Sequence, residues 1–550
     1  MTGPQAPATE PGPVRQAGRG IGRAAVLIGV LTAAARLVGF GRQLVFAHTV
    51  SNTCLGTAYA TANQVPNIIY DIVLGGALTS VVVPVLAGPA ARRLTAAREP
   101  GGTAETSQIA SALLTWTVIL LAPVAVLLAL TAGPVVSLLL SGAPGCHPQA
   151  AMVAVSARML AVFAPQIVLY GLAVVLYGIL QAHHRFTAPA LAPVLSSLVV
   201  IGAYIAFVPL GRGYQNRLAA LPWPAELMLS LGTTAGVAAL ALTALGPALR
   251  LRLRLRPALR FPEGVAVRVR GLAAVGIAAL IAQDASVVAV IVLANGHDGQ
   301  GGLVLYNYGW QMFFVPYAVL AVPIATSAFP LLSARSGASF DDTAASSTRA
   351  VMLVSWLGAA LLAGAAVPAS RLFLAGSSVS QLAMTFAAFA PGLVGYGLAA
   401  NLSRVLFACG RSRVAAFALV GGWLLVIIAD VVAVALVPAR WVVPVLGLGN
   451  TIGLTLSGIA LLGAVRRARG PAALRGSGRA AVAGLAGAVV GGAAGAAVSA
   501  VLPVSGFIWN AGVAVLACAC VAVVFGLAAL VLDGGDLRAV AVRARGRLSR

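Results

Sequence analysis

Charged side chains inside apolar segments are the residues of this sequence most able to do chemistry. Arg36 and Arg42 lie in one apolar stretch, and Asn67 and Asp71 lie in the next. An ionisable side chain at the centre of a membrane helix costs about 2.5 to 3.5 kcal/mol on insertion scales, so it usually faces a cavity or a partner. A guanidinium stays charged and grips phosphate through two parallel hydrogen bonds. The two arginines therefore predict a cationic site for a phosphate-bearing ligand.

The spacing of these arginines constrains the site. Six residues place Arg36 and Arg42 roughly 120° apart and about 9 Å along an ideal helix. Both can face one cavity only if it is broad or the helix bends, and glycines between them permit a bend. Another glycine pair follows Asp71 and allows close helix approach. The predicted hinge or gate positions are Gly39, Gly41, Gly75 and Gly76. The alternative for Arg42 is that it reaches the lipid headgroups.

Three carboxylates fall within predicted spans. Asp71 is a candidate substrate or gate residue that pairs with one of the two arginines; alternatively it has a purely structural role. Asp284 and Asp430 are candidates for coupling a proton or sodium ion to movement, with a helix-packing hydrogen bond as the alternative. No spacing of His, Cys, Asp or Glu resembles a metal site, and no cofactor is predicted.

Composition restricts the class of protein. With 550 residues, 60% hydrophobic and 9% charged, the chain is far less charged than a soluble domain. The predicted fold class is an all-α polytopic membrane protein. All 36 basic residues are arginine, so a P-loop or Schiff-base lysine is excluded. Without a catalytic constellation, an enzyme is not expected. The net charge is +23, and the arginines that carry it lie between apolar spans. This distribution argues against nucleic acid as a partner.

Apolar stretches of about 20 residues mark the membrane spans. Fourteen are predicted: 24–47, 57–88, 108–133, 152–181, 187–208, 226–249, 265–294, 303–333, 350–369, 379–408, 413–436, 441–464, 480–502 and 507–532. Arginines concentrate in alternate loops, including the run "LRLRLRPALR" after the sixth span. By the positive-inside rule, both termini are cytoplasmic.

An internal repeat predicts the architecture. "FAPQIVLYGLAVVLYGILQAHHR" (163–185) and "FAPGLVGYGLAANLSRVLFACGR" (389–411) are identical at 12 of 23 positions. The copies lie six spans apart and run in the same direction, which is typical of transporters whose site lies between two lobes. The predicted organisation is a disordered tail (1–22), an N-lobe of six spans (23–249), a basic linker (250–264), a C-lobe of six spans (265–466), two further spans (467–533) and a basic tail (534–550).

Two cysteines, Cys54 and Cys146, fall in loops predicted to lie outside. A disulfide between them would form in an oxidising compartment. Two unpaired loop thiols are the commoner outcome, so the sequence leaves the question open.

Several motifs resemble a known family. "RLVGFGRQLVFA" (36–47), "TANQVPNIIYDIVLGGALTSVVVPVLA" (61–87), "FAPQIVLYGLAVVLYGILQAHHRFTAPALAPVL" (163–195) and "YNYGWQMFFVPYAVLAVPIATSAFPLLS" (306–333) resemble the MurJ (MviN) lipid II flippases. These belong to the multidrug/oligosaccharidyl-lipid/polysaccharide exporter superfamily. The resemblance covers nearly the whole chain. It implies a bacterial plasma-membrane protein that moves the undecaprenyl-pyrophosphate-linked precursor lipid II to the outer leaflet.

The resemblance also carries residue roles. Arg36 and Arg42 match arginines that line the family's cavity, and the last two spans match helices that offer a groove to the prenyl tail. Where a better-known form of the family has an acid and two arginines, this chain has Thr57, Tyr70 and Gln311. The predicted substrate-binding residues are Arg36, Arg42, Asn67, Asp71 and Gln311. Lipid II and membrane lipids are the implied partners, and cell-wall synthesis proteins are further candidates.

Other functions remain open. One is export of a different lipid-linked saccharide, and another is small-molecule antiport, which in this superfamily typically uses twelve spans. A third is a non-transporting scaffold for cell-wall proteins. A scaffold would tolerate loss of Arg36 and Arg42, whereas a transporter of phosphate-bearing lipid would not.

Overall fold

A computed structural model describes residues 13–72, 101–140, 142, 144–183, 185–251, 256–259, 265–502 and 505–532, and the regular structure of these residues is helical throughout. The helices are α1 (Pro13–Thr49), α2 (Cys54–Ile72), α3 (Gly101–Leu130), α4 (Ala132–Leu139), α5 (Gln149–Phe163), α6 (Gln166–Ala182), α7 (Thr187–Gly211), α8 (Trp223–Leu249), α9 (Val265–Leu293), α10 (Gly302–Pro316), α11 (Val322–Ala334), α12 (Gly337–Gly364), α13 (Ala366–Phe373), α14 (Ser378–Phe389), α15 (Gly392–Ala408), α16 (Ser412–Leu436), α17 (Val442–Arg469), α18 (Ser477–Val501) and α19 (Phe507–Leu532). The all-α membrane fold class is confirmed.

The described part of the chain contains 12 helices long and apolar enough to cross a membrane. They correspond to the last twelve predicted spans, so the predicted count of fourteen is not itself confirmed. The predicted first span lies within α1. The predicted second span, 57–88, begins in α2 and ends beyond the described residues. The ninth predicted span, 350–369, is too short, because α12 already begins at Gly337. Its polar first turns are held by an ion pair between Asp341 and Arg469 of α17, at 2.9 Å.

The predicted N-terminal tail is too long. The helix α1 begins at Pro13, ten residues before the predicted domain boundary at 23. Proline is well suited to the first turn of a helix, because its missing N–H is not needed there. No further proline follows in α1. Residues 1–12 and the predicted tail at 534–550 lie outside the described residues.

The internal repeat has a clear structural counterpart. Helix α5 ends at Phe163 and α6 begins at Gln166, while α14 ends at Phe389 and α15 begins at Gly392. Both breaks fall at the Phe-Ala-Pro motif, where the proline has no N–H to donate. The helices that follow, α7 and α16, are both 25 residues long. The pairs α7 with α8 and α16 with α17 pack in corresponding ways, as do α1 with α7 and α9 with α16. Two lobes are thus built to one plan.

The final helices form a hairpin against the C-lobe. Helices α18 and α19 pack on each other and on α12. The contact depends on small residues: a Cβ at Gly364 would lie 3.2 Å from the Gly492 carbonyl oxygen and 2.8 Å from Val521. Such close packing is how helices associate within lipid.

The two ends of the molecule differ. Cys54 and Cys146 form a disulfide with a Cα–Cα distance of 5.6 Å, so the commoner expectation of free thiols is wrong for this pair. The pairing is feasible because α2 packs against α5, which starts just after Cys146. We call this the disulfide end. The opposite end, here called the arginine end, carries Arg185, Arg250, Arg256, Arg335, Arg349, Arg411, Arg413, Arg466, Arg467, Arg469, Arg475 and Arg479.

Candidate functional site: a cavity between the lobes

A cavity of about 570 Å³ lies between the lobes. The sequence-predicted substrate-binding residues all line it: Arg36, Arg42, Asn67, Asp71 and Gln311. Helices α1, α2, α6, α7 and α8 supply its N-lobe wall, and α10 supplies its C-lobe wall. The structure therefore brings together five residues from three helices, α1, α2 and α10. Their roles in binding stay predictions.

Helix α1 presents both arginines to this cavity. It runs uninterrupted from Pro13 to Thr49, so the two residues share the cavity along one continuous helix. Arg36 is exposed, and its guanidinium carbon lies 5.0 Å from the centroid of the Phe314 ring. Arg42 is half-buried. The guanidinium of Arg36 is thus placed where α1 of the N-lobe meets the C-lobe.

The predicted hinge glycines have separate outcomes. A Cβ at Gly39 or Gly41 would come within 4 Å of no neighbouring atom in the described part of the chain, so no described contact requires glycine at either position. Their role as a hinge stays a prediction. Gly75 and Gly76 lie outside the described residues.

Helix α2 places a polar stripe opposite α1. Asn63, Asn67 and Asp71 recur every four residues and line the cavity, as expected for one face of a helix. The Asn67 side-chain oxygen accepts a hydrogen bond of 3.0 Å from the Tyr170 hydroxyl of α6. The Tyr70 ring lies 4.2 Å from the Tyr170 ring, centroid to centroid. Within the described structure, Asp71 makes no ion pair with either cavity arginine, so that suggested pairing is not seen.

The C-lobe contributes a single polar bridge across the described cavity. The Gln43 amide of α1 donates a 2.9 Å hydrogen bond to the Gln311 oxygen of α10. Sequence reasoning missed several polar lining residues, namely Gln43, Asn63, Gln64, Tyr170, Ser196, Ser197 and Asn307. The four-residue spacing on α2 could have revealed Asn63. The serines of α7 gave no comparable signal.

A buried hydroxyl network lies beside the cavity. The Tyr59 hydroxyl is 2.8 Å from the Tyr204 hydroxyl and 2.8 Å from that of Thr233. All three residues line the cavity and are buried. The network ties α2 to α7 and α8, and thereby fixes the N-lobe wall.

Contacts between the lobes close the disulfide end. The Gly301 N–H donates to the Thr57 hydroxyl at 2.8 Å, and the Asn295 amide donates to the Thr61 hydroxyl at 2.9 Å. Gly301 has φ +83°, and a Cβ there would lie 2.6 Å from the Asn52 carbonyl oxygen, so this approach requires glycine. Thr57 therefore belongs to this closure. Among the described residues, the direct hydrogen bonds between the two lobes are confined to the region from Gln43 to the disulfide end.

The two predicted ion-coupling carboxylates occupy different surroundings. Asp284 of α9 is 4% exposed and Asp430 of α16 is 0% exposed. Neither carboxylate accepts a hydrogen bond from a described residue. Asp430 lies against Gly449, where a Cβ would be 1.8 Å from its carboxylate oxygen. The neighbouring Asn450 amide donates to the Tyr306 hydroxyl at 2.8 Å. No described contact joins the two carboxylates.

Two lobes of common plan, a polar cavity between them and a closure at one end are the architecture of a two-lobed membrane transporter. The chain belongs to the MurJ family: the family described as "Lipid II flippase MurJ" matches residues 46–526. The resemblance read from the sequence is thereby confirmed, and the chain is a multi-pass membrane protein.

Solved structures show the same fold. A lipid II flippase MurJ in an inward closed conformation matches with a TM-score of 0.68 and 15% identity, over 92% of this chain and 98% of that one. An inward-facing multidrug resistance MATE transporter of the MOP superfamily matches with a TM-score of 0.61 and 14% identity, over 80% and 99%. A MOP superfamily transporter from Pyrococcus furiosus matches with a TM-score of 0.56 and 15% identity, over 82% and 96%.

Proposed function

We propose that this chain is a lipid II flippase that works by alternating access, with the disulfide end facing outward. The observation that carries the proposal is that Arg36 and Arg42 line one cavity between the lobes. The pyrophosphate of lipid II cannot cross hydrocarbon unaided, and guanidinium groups match its geometry and charge. The family membership supports the same cargo.

The position of the closure between the lobes and the distribution of the arginines fit an inward-facing state. The arginine end would be cytoplasmic by the positive-inside rule, and the disulfide end would lie in the more oxidising compartment. The closure around Thr57 and Gly301 then forms an outer gate. Rocking of the lobes would open this gate and release the head group on the outer side.

The amide and hydroxyl groups of the cavity suit the rest of the cargo. Asn67 and Asp71 on α2 and Gln311 on α10 would hydrogen-bond the sugar and peptide portions of the head group. The hairpin of α18 and α19 would guide the prenyl tail along its apolar outer face, where Val489 is 62% exposed and Val523 is 61% exposed. Its tight packing on α12 supports a second role as a brace of the C-lobe.

For ion coupling, Asp430 is the first candidate and Asp284 is the second. A buried carboxylate without a hydrogen-bond donor is costly unless it binds a proton or a cation. Asn450, which follows the Gly449 that lies against Asp430, also has a side-chain oxygen without a described partner. In proteoliposomes, Asp430→Asn should abolish the response of transport to an ion gradient and leave head-group binding intact. An unchanged gradient response would remove this assignment.

The decisive experiment measures lipid II in the outer leaflet of cells that hold this protein as their sole flippase. Depletion of the protein should lower the amount released by an external lipid II-cleaving enzyme. Reconstituted protein should also transfer lipid II across liposomes. Transfer of a different lipid-linked saccharide or a small molecule, but not lipid II, would favour the other transporter functions. Unchanged outer-leaflet lipid II on depletion would favour a scaffold.

A further inference from the structure

A second cavity lies at the disulfide end, apart from the one between the lobes. Its volume is about 510 Å³, and it lies where α13 and α14 of the C-lobe meet the start of α19. Arg371, in the last turn of α13, lines it together with Asn510 of α19. Arg371 forms no ion pair or hydrogen bond with another described residue. The cavity thus holds a cation that the described protein does not neutralise.

The polar groups of this cavity favour an anion that also carries a hydroxyl donor. Helices α14 and α19 both begin at its wall, and helix N-termini attract negative charge. Asn510 is 4% exposed, and its side-chain oxygen accepts no hydrogen bond from a described residue. Its amide is already engaged, because it donates 2.8 Å to the Gly506 carbonyl oxygen. A ligand hydroxyl could therefore satisfy the free oxygen while an anionic group binds Arg371.

The surroundings place the cavity at the depth of lipid headgroups. Trp509, next to Asn510, is 70% exposed, and Ile508 is 81% exposed. Exposed tryptophan is typical of the membrane–water interface. Val367, which lines the cavity from α13, is 39% exposed. An acyl chain can therefore extend from the cavity along an apolar surface.

We propose that this cavity binds the phosphate headgroup of an anionic, hydroxyl-bearing phospholipid such as phosphatidylglycerol, with its acyl chains along α13 and α19. The phosphate would contact Arg371, and a glycerol hydroxyl would donate to Asn510. The site adjoins the closure between the lobes, because Asn52 donates a 3.1 Å hydrogen bond to Ser378 at the start of α14. The proposal does not depend on the cargo of the central cavity.

The test is native mass spectrometry of the purified full-length protein with phosphatidylglycerol or phosphatidylcholine. The wild type should retain phosphatidylglycerol at least about tenfold better, since hydrogen bonds to charged groups are the strong ones. Arg371→Gln should remove this preference, and Asn510→Leu should reduce it. The control is Arg440→Gln, which removes an exposed arginine at the same end and should change nothing. Thermal unfolding would verify that each variant is folded.

Two results would overturn the proposal. One is equal retention of phosphatidylglycerol by the Arg371→Gln and Arg440→Gln variants. The other is displacement of the lipid from the wild type by millimolar inorganic phosphate, which would mean that the cavity binds free phosphate and not a lipid. Persistent binding in the presence of free phosphate, lost in Arg371→Gln alone, is the result expected.

Discussion

The two lobes share a backbone plan but face each other with different side chains. The repeat places Tyr170 of α6 and Tyr396 of α15 at matching positions. Tyr170 donates a hydrogen bond to Asn67 in the cavity. Tyr396 instead lies among aromatic rings, 4.4 Å from Tyr317 and 5.6 Å from Phe313 between centroids. One tyrosine forms part of a polar wall, and its counterpart forms part of an apolar support.

The same contrast holds for the next pair of helices. In the register of the repeat, Ser196 and Ser197 of α7 correspond to Gly422 and Trp423 of α16. The serines line the cavity, whereas Gly422 allows close contact with Ser457 of α17. The scaffold therefore occurs twice, and the N-lobe supplies most of the polar wall, while α10 of the C-lobe adds Asn307 and Gln311. We infer that head-group binding resides mainly in the N-lobe and that the C-lobe gives rigidity.

The largest effect should come from removing the positive charge of the N-lobe wall. Arg36→Ala combined with Arg42→Ala should abolish lipid II transport, because each charge-assisted hydrogen bond contributes about 1.5 to 3 kcal/mol. Head-group binding, measured with a short-tailed analogue, should weaken roughly a hundredfold or more. Lysine at both positions should restore binding only in part, because it cannot form the bidentate contact.

The matched control removes two arginines at the disulfide end, as Arg212→Ala with Arg440→Ala. Both side chains are exposed and neither lines the cavity, so transport should persist. Full transport by the Arg36/Arg42 double variant as the sole copy would reject the cationic-cavity mechanism and favour contacts of both arginines with lipid headgroups.

The second prediction separates the matching tyrosines. Tyr396→Ala should destabilise the protein by about 3 to 5 kcal/mol, as large aromatic-to-alanine changes in packed regions do. Tyr170→Phe should lower stability by only about 1 kcal/mol, the value of the lost hydrogen bond to Asn67, but it should weaken head-group binding several-fold, because that bond orients the Asn67 side chain in the cavity. Tyr396→Phe is the control and should affect neither property, since its hydroxyl makes no described hydrogen bond. Denaturation in detergent and analogue binding would measure the two effects.

Equal effects of Tyr170→Phe and Tyr396→Phe on binding would contradict the division of labour between the lobes. A Tyr396→Ala protein as stable as wild type would show that the aromatic cluster gives no support.

Hydropathy was sufficient to predict the twelve spans that the described helices match, and charge was sufficient to single out Arg36, Arg42 and Asp71 of the cavity. The tenth predicted span, 379–408, differs from the helices α14 and α15 by one residue at its start, because a long apolar run has few alternatives within a bilayer. Arg36 and Asp71 were identifiable because a charge inside such a run is costly. Their convergence on one cavity depended on the packing of separate helices, which no local pattern encodes.

Uncharged polar residues were harder to interpret. Ser196 and Thr57 cost little in a membrane helix whether they face a cavity, a gate or a neighbouring helix, so their sequence context does not distinguish these roles. The pairing of Cys54 with Cys146 was likewise undetermined, because it depends on how closely α2 approaches α5. The cavity at Arg371 could not be predicted either, since it forms where α19 packs against α13 and α14, which lie far earlier in the chain.

The smallest effect is expected for Gln311, the C-lobe residue that accepts the hydrogen bond from Gln43. Gln311→Arg should lose the hydrogen bond from Gln43, about 1 kcal/mol, and add a guanidinium to the C-lobe wall of the same cavity. The added charge should outweigh the lost bond for an anionic head group, so binding of the analogue should tighten a few-fold while transport continues. Gln311→Met, which removes the hydrogen bond without adding charge, is the control and should not tighten binding. If Gln311→Arg weakened binding as much as Gln311→Met, the phosphate would not come within reach of α10, and the N-lobe alone would form the anionic subsite.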